Sequence, residues 1–251
     1  MKIKITDILK ILLMIYLLII PGLNIVILIL IIVRRKRRKE FEASKYGKIS
    51  GNTYKDTMND IGLYGEYRTF IKLEKLEGEH KLFTNLYIPK EDGTTTEIDL
   101  VMVDETGIYV FESKNYSGWI FGNEKDKNWT QTLQSRQKNR FYNPIWQNKG
   151  HIKALQTVIN KEAKGLYKSY IIFSERCTLK KISVTSPDVK VLKRDGLLNV
   201  LKEERMRSQR LLSKEEVLEI ENKLRQYCLV DKETRLAHIQ QIQSMDKKRV
   251  L

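Results

Sequence analysis

The sequence predicts an α/β protein preceded by one N-terminal transmembrane helix. Three observations support this fold class. Residues 11–33 form an uncharged apolar run, two apolar segments joined by a Gly-containing turn predict a β-hairpin between Glu97 and Lys114, and strand-like and helix-like segments alternate around that hairpin. With 251 residues, the chain is long enough for one sizeable domain with a full core and accessory segments.

The N-terminal run has the length and the flanks of a retained membrane anchor. It has 23 residues without a charge, and six basic residues follow it at 34–39, against three before it. The positive-inside rule then places the N-terminus outside and the domain in the cytosol, at the plasma (inner) membrane. A signal peptide would need a shorter apolar core and a cleavage site of small residues. A re-entrant hairpin at Pro21-Gly22 is disfavoured because each half would be too short to span.

The composition leaves nucleic-acid binding open and excludes two kinds of site. Residues 1–39 hold nine Lys or Arg and one Asp, so that +7 of the +15 net charge belongs to the other 212 residues. This moderate excess agrees with phosphate binding without requiring it. Cys177 and Cys228 are far apart and form no CxxC motif, which argues against a zinc site or a disulfide framework and predicts free thiols.

Residues 40–60 are polar and are interpreted as a linker, and a helix is predicted over residues 61–76. Its apolar face is formed by Leu63, Tyr67, Phe70 and Leu73. Glu66 lies on the same face, where a carboxylate is usually paired or bound to a ligand. The alternative is that Glu66 is an acid near the helix N-terminus that complements the helix dipole.

The central hairpin comprises strands over residues 98–103 and 108–111, joined by the polar turn 104–107. A four-residue connection places Val103 opposite Ile108. Each opposed pair then has the same sum of residue numbers, which fixes the register of the whole hairpin.

In this register Asp99 lies directly across from Glu112, with the two Cβ atoms about 5 Å apart. Lys114 is two residues beyond Glu112 and shares its face. Like charges in opposition destabilise a sheet, so a cation is expected between them, and hard oxygen ligands suit Mg²⁺. The alternative is a salt-bridged surface hairpin in which Lys114 neutralises both acids.

Residues 129–142 combine aromatic with basic side chains, a pattern that can stack bases and contact phosphates but also occurs on ordinary amphipathic surfaces. The residues concerned are Trp129, Phe141, Tyr142, Arg136, Lys138 and Arg140. Asn143-Pro144 predicts the start of a helix on which Gln147 and His151 share a face with apolar residues one and two turns later. We expect the start of this helix to reach a wet site, with His151 in a structural role.

Further strands are predicted at residues 81–89, 169–173 and 189–192. A helix is predicted at about 213–227, where Ser213 and Glu216 fit a capping box. The tail from residue 231 is polar. We therefore expect a domain at 61–175, with a C-terminal extension, residues 176–251, that packs on it.

Four stretches in this order carry a resemblance to a known family: Gly62–Glu66, Glu97–Asp99, Phe111–Gly118 and Asn143–His151. Together they resemble the nuclease-related domain (NERD) family, a branch of the PD-(D/E)xK restriction-endonuclease-like superfamily. The matching stretch of sequence runs from about Ile61 to Phe173. The resemblance implies a restriction-endonuclease-like core, in which helices flank a mixed central sheet.

The resemblance also implies a catalytic set, which consists of Glu66, Asp99, Glu112, Lys114 and Gln147. Asp99, Glu112 and the backbone carbonyl of Ser113 would bind Mg²⁺, with Mn²⁺ as the alternative cation. Lys114 would position or activate the attacking water, Glu66 would complete the site and Gln147 would lie beside it. The family usually has an apolar residue where this chain has Ser113, which changes little if the carbonyl is the contributing group.

The sequence therefore predicts a membrane-anchored, Mg²⁺-dependent nuclease that hydrolyses phosphodiester bonds of nucleic acid, with DNA as the expected substrate. A second hypothesis keeps the fold but not the chemistry, so that the domain binds nucleic acid without cutting it. A third is a membrane-tethered scaffold in which the hairpin charges form only a salt-bridge cluster.

Overall fold

The computed structural model describes residues 5–90, 93–230, 233–234, 236–238 and 240–241. The chain divides into two compact units, Met1–Ser44 and Lys45–Leu251. The first unit contains the helix α1, Ile5–Ala43.

The expected transmembrane helix over residues 11–33 is not supported by the structure. These residues lie within α1, yet no helix in the described part of the chain is long and apolar enough to cross a membrane. The side chains of residues 17–22, in the middle of the apolar run, are outside the described residues.

The second unit contains the helices and strands that form the domain. The helices are α2 Tyr46–Ser50, α3 Tyr54–Asn59, α4 Ile61–Leu73, α5 Pro144–Ile159, α6 Leu197–Arg207 and α7 Lys214–Arg225, with a 3₁₀ turn at Arg194–Gly196. The strands are β1 Lys81–Pro89, β2 Thr95–Asp104, β3 Gly107–Lys114, β4 Gly118–Asn123, β5 Asn128–Thr132, β6 Lys138–Tyr142, β7 Tyr167–Phe173, β8 Cys177–Ser183 and β9 Val189–Lys193.

The strands form two mixed sheets flanked by helices, which confirms the α/β class but replaces one central sheet by two. The five-stranded sheet has the order β1-β2-β3-β7-β9, antiparallel from β1 to β3 and parallel from β3 to β9. The four-stranded sheet has the order β6-β5-β4-β8, in which only β4 and β8 are parallel.

The predicted hairpin register is confirmed. Val103 pairs with Ile108, and Asp104 also pairs with Gly107, so the turn itself has only two residues. Gly107 has φ 137°, and a Cβ atom at this position would lie 2.7 Å from the carbonyl oxygen of Leu166. The turn therefore requires glycine both for its backbone conformation and for the close approach of the chain that enters β7.

One core fills the space between the five-stranded sheet and the helices α5 and α7. It includes Val101, Val110, Leu155, Ile220 and Leu224, all at most 3% exposed. Helix α7 begins at Ser213, whose side chain and that of Glu216 form the capping box expected from the sequence.

A second core lies on the inner side of the four-stranded sheet. Trp129 is 1% exposed, and its ring stacks on Phe173 with an interplanar angle of 6°. The indole also covers Gly122, where a Cβ atom would lie 2.1 Å from it. Trp129 is therefore a core residue and cannot stack on a base, contrary to one interpretation of residues 129–142.

Two segments differ from the organisation expected from the sequence. Residues 40–60, interpreted as a linker, contain α2 and α3, and the buried Tyr46 packs edge-on against Tyr67 and Phe70. The C-terminal extension adds β8 to the four-stranded sheet and β9 to the five-stranded sheet. It thus completes both sheets, because strands distant in sequence pair with those of the predicted domain.

Candidate active site

The candidate site lies where β3 ends and the β2–β3 ladder stops. The last ladder pair on this side is Leu100 with Phe111, so the next opposed positions are Asp99 and Glu112. Asp99 Oδ2 accepts a hydrogen bond of 2.8 Å from the backbone N–H of Ser113. A carboxylate thus takes the place of a strand partner for this N–H group, which holds Asp99 at the end of the hairpin.

The Lys114 ammonium is held between two oxygen acceptors. Its Nζ donates to Glu112 Oε1 at 2.6 Å and to Gln147 Oε1 at 3.1 Å. The Glu112 side chain is 1% exposed and that of Lys114 is 17% exposed. Helix α5 supplies Gln147 because Asn143 caps its first turn, accepting a hydrogen bond from the N–H of Ile145. The structure therefore brings Glu112, Lys114 and Gln147 together.

Burial and mutual repulsion perturb the titration of these groups. Burial, followed by the negative charge of Glu112, raises the pKa of Asp99 to about 7. Burial also raises the pKa of Glu112, although Lys114 opposes the shift. Burial lowers the pKa of Lys114, but the charges of Glu112 and Asp99 outweigh it and raise this pKa above its ordinary value. The lysine is therefore charged, and the two acids carry more negative charge than this one cation offsets only when both are ionised.

Glu66 adds a third carboxylate from helix α4. Its pKa is raised well above the ordinary value by burial and then by the charge of Asp99. Its Oε2 atom is buried and has no hydrogen-bond partner among the described residues. Gly65 allows α4 to approach β3 closely, since a Cβ atom there would lie 2.9 Å from Asn115 Cβ. This close approach explains how Glu66 comes within electrostatic reach of Asp99.

The backbone of Ser113 faces Asp99, whereas its side chain faces helix α4. In an extended strand the N–H and C=O of one residue point to the same side, so the Ser113 carbonyl points towards Asp99. Its side-chain hydroxyl lies 3.2 Å from Thr69 Oγ1, which accepts a hydrogen bond from the buried guanidinium of Arg194. Glu175 binds Arg194 at 2.8 Å. The serine hydroxyl therefore packs against α4 and stays out of the acidic cluster.

The oxygen donors of the site suit a hard cation. Within the described ranges no group of three or more His, Cys, Asp or Glu side chains is arranged to hold a metal ion. Two buried oxygens without a hydrogen-bond partner, Glu66 Oε2 and Glu112 Oε2, are nevertheless hard donors. The Ser113 carbonyl oxygen and Asp99 Oδ1 are also hard oxygen donors. This chemistry fits Mg²⁺ or Mn²⁺, which prefer oxygen ligands and retain several waters.

Two further residues lie at the site outside the predicted catalytic set. His151, for which a structural role was expected, has its Nδ1 3.4 Å from Glu112 Oε2, and burial lowers its pKa to about 4. Tyr46 comes from the segment interpreted as a linker. Burial, and then the charge of Glu66, raises its pKa. The spacing of one turn between Gln147 and His151 did predict a shared face at a wet site, whereas nothing in the sequence around Tyr46 indicates its position.

The raised pKa of Asp99 makes stability depend on pH. The carboxyl titrates near 3.8 in the unfolded chain and at about 7 in the folded protein, so the folded state binds more protons between these values. We expect the free energy of unfolding without metal to fall as the pH rises through this window. The loss between about pH 5 and about pH 8 should be on the order of 1–3 kcal/mol.

Urea unfolding in the presence of EDTA measures this dependence, with Asp99→Asn as the comparison. The variant should show a flatter pH dependence than the wild type. The lowered pKa of His151 acts in the opposite sense below pH 6.5 and depends on the charge of Asp99, so the two proteins are compared between pH 6.5 and pH 8. Parallel curves for the two proteins would show that Asp99 does not titrate in this window.

Comparisons with known proteins agree with this geometry. Residues 61–174 match the family model of the nuclease-related domain. An uncharacterized protein of Bacillus anthracis is 39% identical over 132 residues, which are 52% of this chain and 61% of that protein. The match thus spans about three-fifths of the length of this relative. No solved structure matches the chain.

Proposed function

We propose that this protein is a metal-dependent nuclease that hydrolyses phosphodiester bonds of nucleic acid, with DNA as the expected substrate, because residues 61–174 match the family model of the nuclease-related domain. The observation that carries the proposal is the convergence of Asp99, Glu112 and Lys114 at the end of one hairpin, with Gln147 bound to the lysine. Two acids and an amine beside a helix that supplies a glutamine are the groups that the PD-(D/E)xK superfamily would require.

In this proposal Asp99, Glu112 and the Ser113 carbonyl hold a Mg²⁺ ion, with Glu66 completing the acidic cluster. When bound, the ion lowers the pKa of a coordinated water and polarises the scissile phosphate. The carboxylates supply the oxygen donors for the ion. Once the ion neutralises their charge, they no longer repel the phosphate. The raised pKa values of all three acids support a need for added positive charge at the site.

Lys114 has the role of orienting the attacking water and offsetting the negative charge that develops on the phosphate. Its raised pKa keeps it protonated at neutral pH, so it acts as a hydrogen-bond donor and not as a base. Gln147 fixes the direction of Nζ, because its Oε1 accepts one of the three ammonium hydrogens. One further donor position of Nζ is then free to face a water.

The direct bond between Lys114 and Glu112 also favours a second candidate, a nucleic-acid-binding domain whose acids form a salt-bridge cluster. In that protein the lysine alone would neutralise Glu112 and no cation would be needed. The two candidates differ in whether metal changes activity.

Cleavage by the full chain distinguishes them. The protein is incubated with end-labelled single-stranded DNA, duplex DNA and single-stranded RNA in Mg²⁺, in Mn²⁺ and in EDTA. We expect cleavage of at least one substrate with Mg²⁺ or Mn²⁺ and none in EDTA. Binding without cleavage under every condition would favour the second candidate.

A further inference from the structure

The four-stranded sheet has one face that the protein core does not cover. Along β4, Trp119 is 51% exposed whereas the next residue, Ile120, is fully buried. Since paired residues of neighbouring strands share a face, the register assigns the same outer face to the partners of Trp119 and Phe121. These partners are Thr132, Lys138 and Thr178 for Trp119 and Thr130, Arg140 and Lys181 for Phe121. We call this surface the outer face.

The outer face is uniformly positive. The four strands β4, β5, β6 and β8 contain no Asp or Glu, and their only charged residues are Lys138, Arg140, Lys180 and Lys181. Lys180 occupies the register shift opposite Ile120–Phe121, and its ammonium lies 5.2 Å from the centroid of the Trp119 ring. An exposed indole beside cations, with no acid on any strand, has the charge and the apolar surface that complement a nucleic-acid strand.

The outer face adjoins the candidate active site through the chain. Strand β4 begins at Gly118, four residues after Lys114, and β8 begins at Cys177, four residues after the end of β7. The segment that leads into β8 contacts the segment that leads into β4, since Arg176 Nη2 donates to the backbone carbonyl of Asn115 at 2.8 Å. Trp119 is five positions after Lys114, a length of chain that spans at most roughly 18 Å. One bound strand could therefore reach both places.

We propose that the outer face binds a single-stranded segment of nucleic acid and leads it to the candidate active site. Lys138, Arg140, Lys180 and Lys181 contact its phosphates, and Trp119 stacks on a base. Stacking on an exposed ring requires a base that is not already stacked and paired in a duplex, so the surface selects single strands. The guiding role rests on the proposed nuclease function, whereas the binding itself does not.

Binding is measured with the full chain in EDTA, by fluorescence anisotropy of a labelled single strand of about 12 nucleotides, a length within the roughly 4–16 nucleotides that one OB-fold domain binds. Trp119→Ala should weaken binding about 5- to 100-fold, because it removes one stacked base. Trp119→Phe should restore most of the affinity, since it keeps an aromatic ring. A structural role alone would not predict this rescue.

The lysines are tested through the salt dependence of the same affinity. In Lys180→Ala/Lys181→Ala the slope of log K against log salt should fall by about 0.7 for each phosphate that the protein no longer neutralises. The control Lys75→Ala/Lys164→Ala removes equal charge from exposed positions after α4 and before β7, neither of which belongs to the four-stranded sheet. It should leave the slope unchanged.

Several results would overturn this inference. One is that Trp119→Ala and Lys180→Ala/Lys181→Ala leave the affinity unchanged. Another is that a duplex of the same length binds with equal affinity, and a third is that the protein binds phosphatidylserine vesicles and not the oligonucleotide. Because these measurements contain no metal, they are independent of cleavage. A protein that binds as expected but never cuts would refute the nuclease proposal and leave the binding surface intact.

Discussion

Replacing Asp99 by Asn should abolish Mg²⁺-dependent cleavage, with a loss of about 10²-fold to 10³-fold or more. The reason is that Asn keeps the shape of the side chain and an oxygen that can accept from Ser113 N–H, but it removes the charge that a cation requires. A metal ion contributes several kcal/mol of transition-state stabilisation, and each 1.36 kcal/mol corresponds to about tenfold in rate. The measurement is the initial rate of cleavage of the best substrate under saturating Mg²⁺.

Asp188→Asn is the matched control, because it removes the same charge from an exposed position. Its cleavage rate should equal that of the wild type. The Asp99→Asn protein should also be at least as stable as the wild type without metal near pH 8, since it relieves the repulsion among buried acids. Full activity in Asp99→Asn, or an equal loss in both variants, would contradict the role assigned to Asp99.

Replacing Lys114 by Met should destabilise the fold as well as inactivate the site. The change leaves Glu112, which is 1% exposed, without its cation. Breaking a buried ion pair in this way costs about 3–5 kcal/mol. The cost should be smaller near pH 5 than near pH 8, because burial raises the pKa of Glu112 and the isolated acid then takes up a proton. Urea unfolding at the two pH values measures the difference.

A second change separates stability from chemistry. Lys114→Met/Glu112→Gln removes both charges and should recover most of the lost stability while remaining inactive. Lys149→Met is the comparison at a more exposed Lys–Glu pair, since Lys149 is 51% exposed and lies 3.3 Å from Glu124, and it should cost less than about 1 kcal/mol. Equal losses of unfolding free energy in Lys114→Met and Lys149→Met would show that the Lys114–Glu112 pair contributes no more to stability than the more exposed pair.

The central hairpin could be predicted because its information is local. The two apolar runs and the length of the polar turn between them determine which residues oppose each other, and so the sequence predicts that Asp99, Glu112 and Lys114 converge. The helix that supplies Gln147 was likewise predictable from its Asn-Pro cap. The aromatic content of residues 129–142, by contrast, did not show which rings face inward. That depends on the pairing of β5 with β4 and β6.

The second sheet could not be predicted, because it depends on parallel pairing between β4 and β8, which are distant in the chain. Such pairing leaves no periodic pattern within either segment. The same limitation applies to Tyr46, which reaches the acidic cluster only through the packing of α2. At residues 11–33 a strong local pattern predicted a transmembrane helix. Within the part of the chain that the structure describes, however, no helix is long and apolar enough to cross a membrane.

If Asp99 and Glu112 share one cation, a titration of the full chain with Mn²⁺, followed by electron paramagnetic resonance near pH 8, should show one bound Mn²⁺ ion that Mg²⁺ displaces. Asp99→Asn and Glu112→Gln should each lose this binding, while Asp188→Asn should retain it. A wild-type protein that binds no Mn²⁺, or binding that survives in both active-site variants, would show that the two acids do not share a cation.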